Sequence, residues 1–407
     1  MAQLKREIQL IELPKCFQEA VMATRRLGGQ YLWIDSLCII QDSPHDWAIE
    51  SEQMHRVYSN GICNLAASNQ STSNRGLFCN RDPTMGSPFT VDSFWSDGTR
   101  AEKYVLNPNF ANLFTSYGPL YRRAWVVQEQ QLSPRTLHMT PFPVWECREA
   151  ILTEHFPSTE ASSPYKFNGC GLTKEGDRLI ALCGVAKVFS QAFRGRYLAG
   201  IWEDFLLEGL LWCTTEEMSE IVRRGGTRRC KEYVAPSWSW ASVKGIILPF
   251  DDKKIDVPLV DVLSAETQPR NGDPFGQLCG GSLTLDGVLF EFPRISDMLQ
   301  DHQNFDRKPS YNGDALALDD CGVDDYGSLD TWFLPLAVSS AASKHPDLNI
   351  CGIILQKATG TSETAAYTRI GRAVVSHDGD IAGTGWLLRD WISRPWSKDC
   401  YQTIEIV

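Results

Sequence analysis

The stretch Tyr31–Ala67, YLWIDSLCIIQDSPHDWAIESEQMHRVYSNGICNLAA, constrains the fold more than any other part of the chain. Tyr31 to Asp35 is a short run of aromatic and branched apolar residues ending on an acid. Such a run predicts a buried strand whose carboxyl end delivers Asp35 to a crevice. A loop with Cys38, Gln41 and Asp42 follows. Ser43-Pro44 then opens a helix, a capping residue followed by the proline favoured in a first turn. Trp47, Glu50, Met54 and Val57 recur at three- and four-residue steps and share one face of that helix. Asn60-Gly61 ends it, and Ile62 to Ala67 reads as the next strand. Strand, helix and strand with short joints form the crossover unit of a parallel sheet.

Before this stretch, Ile8 to Leu13 reads as an extended lead-in. Pro14 opens a helix with Phe17, Ala20, Val21, Thr24 and Leu27 on one stripe, and Gly28-Gly29 ends it. Residues 68 to 119 are polar and rich in Gly, Pro and Ser, with candidate strands at Phe89 to Phe94 and Lys103 to Leu106. Pro119 to Glu129 reads as a helix and Thr136 to Thr140 as a strand. The polar stretch 150–176 carries Pro157, Pro164, Gly169 and Gly171 and reads as a linker. Domains are therefore expected at 1–149, an α/β unit, and at 177–407. The second opens with helices at Asp177 to Phe193 and Tyr197 to Thr214, the latter with Leu198, Ile201, Phe205, Leu206 and Trp212 as its apolar surface. It then turns β-rich, with strands expected at Val257 to Leu263, Leu283 to Phe290, Thr331 to Ala337, Ile350 to Leu355 and Tyr367 to Val375.

Charge and cysteine usage narrow the function classes. With 407 residues and a formal charge of −11, the chain is a poor general binder of nucleic acid or anionic membrane. Its 13 cysteines are scattered singly with no CxxC pair, and no apolar run is long enough to span a bilayer. A reduced, cytoplasmic setting is the simplest reading. No metal site is expected, since His45 and His55 are ten apart on one helix and the other histidines are dispersed. No glycine-rich phosphate loop is present. Cys38, between Leu37 and Ile39, reads as a buried structural thiol. In Pro236 to Ser242 (PSWSWAS), Trp238 and Trp240 would face one side of a strand and bury against the helices. Arg223, Arg224, Arg228 and Arg229 read as a solvated basic loop, with a phosphate-bearing ligand or acidic partner as the lesser alternative.

The string LWIDSLCIIQD with the following W, M and VY resembles the central motif of the fungal HET (heterokaryon incompatibility) domain. Arg122-Arg123-Ala124-Trp125-Val126-Val127-Gln128-Glu129, with Leu132-Ser133-Pro134-Arg135, resembles that family's later RxWxxQExxLSxR motif. DRLIALCGV (Asp177 to Val185), RYLAGIW (Arg196 to Trp202) and APSWSWAS (Ala235 to Ser242) resemble segments that follow the domain in many such proteins. The resemblance implies a TIR-like (flavodoxin-like) parallel sheet, followed by a helical and β-rich C-terminal region. It also implies a role in non-self recognition or programmed cell death, and a protein partner or self-association as the trigger. The family's opening strand motif, of the form LSxxWG, has no match here. Its absence would leave apolar sheet edges exposed; a truncated N-terminus, another segment filling that slot and a degenerate copy are the alternatives, and the absence favours a non-catalytic interaction module.

HET domains have been proposed as distant relatives of TIR domains, some of which hydrolyse NAD. There a tryptophan followed four residues later by a catalytic glutamate sits on a helix at the mouth of the sheet, and Trp125 and Glu129 resemble that pair. The resemblance makes Glu129 the key carboxylate of an NAD(P) glycohydrolase. Trp125, Asp35, Arg123, Gln41 and Asp42 would shape the pocket, with NAD(P) as substrate and no cofactor required. A purely structural account of the same residues stays open. Trp125 would be core, Glu129 would pair with Arg123 or Arg135, Asp35 would cap a turn, and Gln41 and Asp42 would cap the helix at Ser43.

Overall fold

A computed structural model of the protein describes residues 7–68, 75–80, 89–94, 100–106, 118–153, 172, 174–215, 228–250, 255–292, 316–319, 330–340, 348–358, 366–375 and 400–407. The chain divides into two compact units, Met1–Leu172 and Thr173–Val407.

In the first unit, Pro14 precedes helix α1 (Lys15–Arg26), which buries Cys16, Ala20 and Ala23. Gly28 ends it at φ +78°, the left-handed conformation that glycine adopts without steric cost. A short helix α2 (Asp35–Cys38) and the long α3 (Pro44–Asn60) follow. Ser43 Oγ accepts the Asp46 amide at 3.2 Å, and Pro44 takes the first turn, as the sequence predicts. Asp46 in turn accepts the Ile40 amide at 2.7 Å, closing the loop that joins the two helices. Gly61 ends α3, and strand β1 (Asn64–Ala66) comes next. Strands β2 (Phe89–Phe94) and β3 (Arg100–Leu106) form a separate antiparallel hairpin. After a 3-10 turn at Pro119–Arg122, helix α4 (Trp125–Leu132) leads into β4 (Arg135–His138), β5 (Val144–Cys147) and β6 (Ile151–Thr153). The sheet order is β1-β4-β5-β6. β1 and β4 are parallel, with Leu65 opposite Leu137, and the other two pairs are antiparallel.

The expected strand at Tyr31–Asp35 does not form. Its backbone is extended at Ile34 (φ −131°, ψ 121°), yet among the described residues no strand pairs with it. The Leu37 and Cys38 amides bond back to the Ile34 carbonyl, so Asp35 opens α2 instead of ending a strand. The parallel pair of this sheet is therefore β1 with β4. Cys38 is exposed rather than buried, because α2 presents it outward.

The second unit opens with a 3-10 turn at Glu175–Asp177 and helix α5 (Ile180–Phe189). The helix expected over Tyr197–Thr214 is instead a tight hairpin, β7 (Tyr197–Leu198) with β8 (Ile201–Trp202), then the short α6 (Leu206–Leu210) and β9 (Cys213–Thr215). Ala199 (φ 52°) and Gly200 (φ 94°) make the turn, which reverses the chain and rules out a helix there. Leu198, Ile201, Leu206 and Trp212 are buried, while Phe205 is exposed. Two small pairs follow: β10 (Arg228–Arg229) with β11 (Val243–Lys244), and β12 (Ile246–Leu248) with β9.

Among the described residues the largest sheet has nine strands: β13 (Ile255–Pro258), β14 (Asp261–Pro269), β15 (Leu278–Gly287), β16 (Phe290–Phe292), β17 (Leu316–Leu318), β18 (Thr331–Ser340), β19 (Leu348–Lys357), β20 (Ala366–Val375) and β21 (Gln402–Ile406). Its order is β13-β18-β19-β20-β21-β15-β14, with β16 on β18 and β17 on β20. β20 and β21 are parallel and the other pairs antiparallel. The run expected as one strand at Val257–Leu263 belongs to two, β13 and β14, which pair with different neighbours.

The PSWSWAS string is a turn leading into a 3-10 helix at Trp240–Ser242, not a strand. Its tryptophans nonetheless pack on the core as expected. Trp238 is fully buried, and Trp240, partly buried, donates to the Gly200 carbonyl at 2.9 Å. Nor are the described members of the basic cluster, Arg228 and Arg229, on a solvated loop. Arg228 pairs with Glu175 at 2.6 Å and Arg229 with Asp319 at 3.2 Å. Asp319 also meets the fully buried Arg369 at 3.3 Å, whose guanidinium stacks over Trp212. Arg223 and Arg224 lie outside the described residues.

Candidate functional site

The first unit holds a cavity of about 730 Å³, inside the size range of small-molecule sites. Its walls come from α1, the extended segment ahead of α2, the last turn of α3, the approach to β1, and α4. The floor is apolar. Cys16, Ala20 and Leu77 belong to the unit's hydrophobic cluster, Phe17, Leu32 and Leu65 pack against that cluster, and all six line the cavity.

Four polar side chains on the walls act on one another: Asp35, Tyr58, Arg123 and Glu129. Glu129 sits in the second turn of α4, and Ser133 Oγ donates to its backbone carbonyl at 2.6 Å across the helix end. Burial pushes its carboxyl group up to about 7. The Arg123 guanidinium opposes that rise, the Asp35 charge adds to it, and the hydrogen bond from Tyr58 favours the ionised form. The Tyr58 phenol is held well above its ordinary range, by burial first and then by the charges of Glu129 and Asp35. Trp33 packs edge-on against Tyr58 at 5.6 Å between ring centroids. A carboxyl group titrating near neutrality can give or take a proton at working pH. When ionised, it stabilises a developing positive charge.

Asp35, Arg123 and Glu129 thus share one cavity. Trp125 does not line it, because its ring packs edge-on against Trp47 of α3 at 6.2 Å, in the helix–helix contact. Gln41 is also outside. Its amide donates to the Ile39 carbonyl at 3.0 Å and the Asp35 carbonyl at 3.4 Å, bracing the α2 turn. Asp42 is exposed in that loop, away from the cavity. Among the lining residues not expected at the site are Arg56 and Tyr58, the latter the tyrosine of the VY element of the motif. Tyr58 stands four residues after the buried Met54, a spacing that marks it as inward-facing.

A second polar cluster backs the site. The fully buried His138 takes Glu146 on Nε2 at 2.8 Å and the Tyr121 hydroxyl on Nδ1. Ser68 Oγ lies 2.6 Å from that hydroxyl. In the tautomer that donates from Nε2 to the Glu146 carboxylate, Nδ1 accepts from Tyr121. This ties the 3-10 turn before Arg123 to the sheet. Among the described residues no group of His, Cys, Asp and Glu is placed to hold a metal ion, and no helix is long and apolar enough to cross a membrane.

Residues 1–129 match the family model described as heterokaryon incompatibility protein (HET), a match that runs from the start of the sequence to Glu129. No curated protein and no solved structure matches the chain.

Proposed function

We propose, from the premise that residues 1–129 carry a heterokaryon incompatibility domain, that the protein is a fungal effector of non-self recognition that cleaves NAD(P). The observation that carries this reading is the convergence of Asp35, Tyr58, Arg123 and Glu129 on one cavity, with Glu129 titrating near neutrality. In the reaction the bond from nicotinamide nitrogen to ribose breaks, and its electron pair leaves with nicotinamide. The sugar carbon becomes cationic, water adds to it and releases a proton, and the products are nicotinamide and the ADP-ribose portion. Ionised Glu129 stabilises the cation and takes up the proton from water. Asp35 holds the ribose hydroxyls, Tyr58 orients Glu129, and Arg123 keeps part of the Glu129 population ionised. The proposal extends to a TIR-like arrangement of the unit, supported by the parallel β1–β4 pair and by the placement of Glu129 on the helix leading into β4.

The test is release of nicotinamide from NAD and NADP by the purified chain, followed by chromatography. Release is expected, and Glu129→Gln should remove it. A chain that releases none, or a variant that keeps the parent rate, rejects the mechanism. The surviving reading would then be a non-catalytic interaction module, which the packing of Trp125 on Trp47 away from the cavity already favours. Conditional expression in fungal cells extends the test, with growth arrest expected only while Glu129 is intact.

A further inference from the structure

The cavity wall carries basic side chains, and the proposed hydrolysis uses Arg123 but gives Arg56 no part. Among the described residues its basic lining side chains are Arg56, near the end of α3, and Arg123, just before α4. Both side chains are exposed, and Arg56 makes no ion pair among the described residues. Tyr31 lines the same cavity and is 91% exposed, an aromatic ring with almost no cover.

These features fit one class of ligand. The chain carries −11 overall, so its far field repels anions. An anionic ligand must therefore be held by local cations. Guanidinium groups do this best for phosphate, because their planar fork bonds two oxygens at once. Two such groups and an uncovered aromatic ring on the walls of one cavity match two phosphates and a base. The carboxylates of Asp35 and Glu129 would repel phosphate and match the ribose hydroxyls instead.

We infer that the cavity is a nucleoside diphosphate site in which Arg56 and Arg123 clamp the phosphates and Tyr31 stacks on the base. The inference uses the cavity assigned to NAD(P) cleavage but does not need the cleavage to occur. It gives the diphosphate a main share of the binding, so ADP and ADP-ribose should occupy the site without nicotinamide.

The experiment is calorimetric titration of the full chain with ADP, ADP-ribose, adenosine and inorganic pyrophosphate at two salt concentrations. ADP and ADP-ribose should bind, more weakly at higher salt, while adenosine and pyrophosphate each bind at least tenfold more weakly. Arg56→Ala, a change to an exposed side chain, should weaken ADP at least tenfold, and Tyr31→Ala should weaken ADP without altering pyrophosphate. Adenosine or pyrophosphate binding as tightly as ADP overturns the proposal, as does an Arg56→Ala protein that binds ADP like the parent. ADP binding without nicotinamide release would remove the hydrolase reading and leave this site standing. Nicotinamide release with an unchanged KM in Arg56→Ala would do the reverse.

Discussion

Replacing Glu129 by Gln should stabilise the protein, and the gain should depend on pH in a defined direction. The folded chain ionises this carboxyl group at about 7, against 4.5 for an unperturbed glutamate. Between those values the folded state keeps a proton that the unfolded chain has released. The parent therefore loses stability as pH rises through this window. Above it, the full cost of holding the charge in the cavity is about 3 kcal/mol. Gln is close to the same shape, carries no charge, and still accepts the Tyr58 hydroxyl. The variant should thus exceed the parent by about 3 kcal/mol at pH 8, shrinking to a few tenths of a kcal/mol near pH 4.5. Urea unfolding read by tryptophan fluorescence at the two pH values measures this, since Trp33, Trp47 and Trp125 all lie in the first unit. A difference of the same size at both pH values, or a variant less stable than the parent at pH 8, would refute the reasoning. The carboxyl group would then not be desolvated. A residue that weakens the fold when charged is the pattern of a site kept for chemistry rather than stability.

Three further outcomes follow from the packing. Asp319→Asn should cost about 3–5 kcal/mol in urea unfolding, because Arg369 and Arg229 are left facing each other without their shared carboxylate; a loss below 1 kcal/mol would show that other groups neutralise the pair. Gly200→Ala places a Cβ at φ +94° and 2.6 Å from Trp240 Nε1, so about 1–3 kcal/mol of stability and the near-ultraviolet signal of that ring should be lost together. Ser43→Ala removes the acceptor for the Asp46 amide and should lower stability by about 1 kcal/mol, readable as a fall in melting temperature.

Some of this architecture is written locally and some is not. Helix α3 is legible because its cap, first-turn proline and terminating glycine all act within a few residues of where they stand. Tyr31–Ile34 has the composition of a buried strand, and its backbone is extended at Ile34. Whether such a segment becomes a strand depends on a neighbouring chain to complete the ladder, and nothing within the segment encodes one. Tyr197, Leu198 and Ile201 suit a helix face and a hairpin equally well, and an alanine at positive φ gives no warning of the turn. The spacing of Trp125 and Glu129 places them on one side of α4, but Trp47 of α3 decides that only the glutamate reaches the cavity. Most long strands of the C-terminal sheet show in their apolar runs. β17 and β21 do not, since they are short and gain their place from partners far away in sequence. Tyr58 is marked in the sequence only as part of the VY element and Arg56 not at all, because their place on the cavity wall is set by where α3 ends.

Cys16, Ala20 and Leu77 serve at once as hydrophobic core and as cavity floor. Anything that settles there packs on the same atoms that hold α1 in place, so occupancy and folding of this unit form a single thermodynamic cycle. A ligand at a hundredfold over its Kd would add about 2.7 kcal/mol to that unit. Resistance of the N-terminal part to heat or protease should accordingly serve as a direct gauge of how much of the protein is loaded.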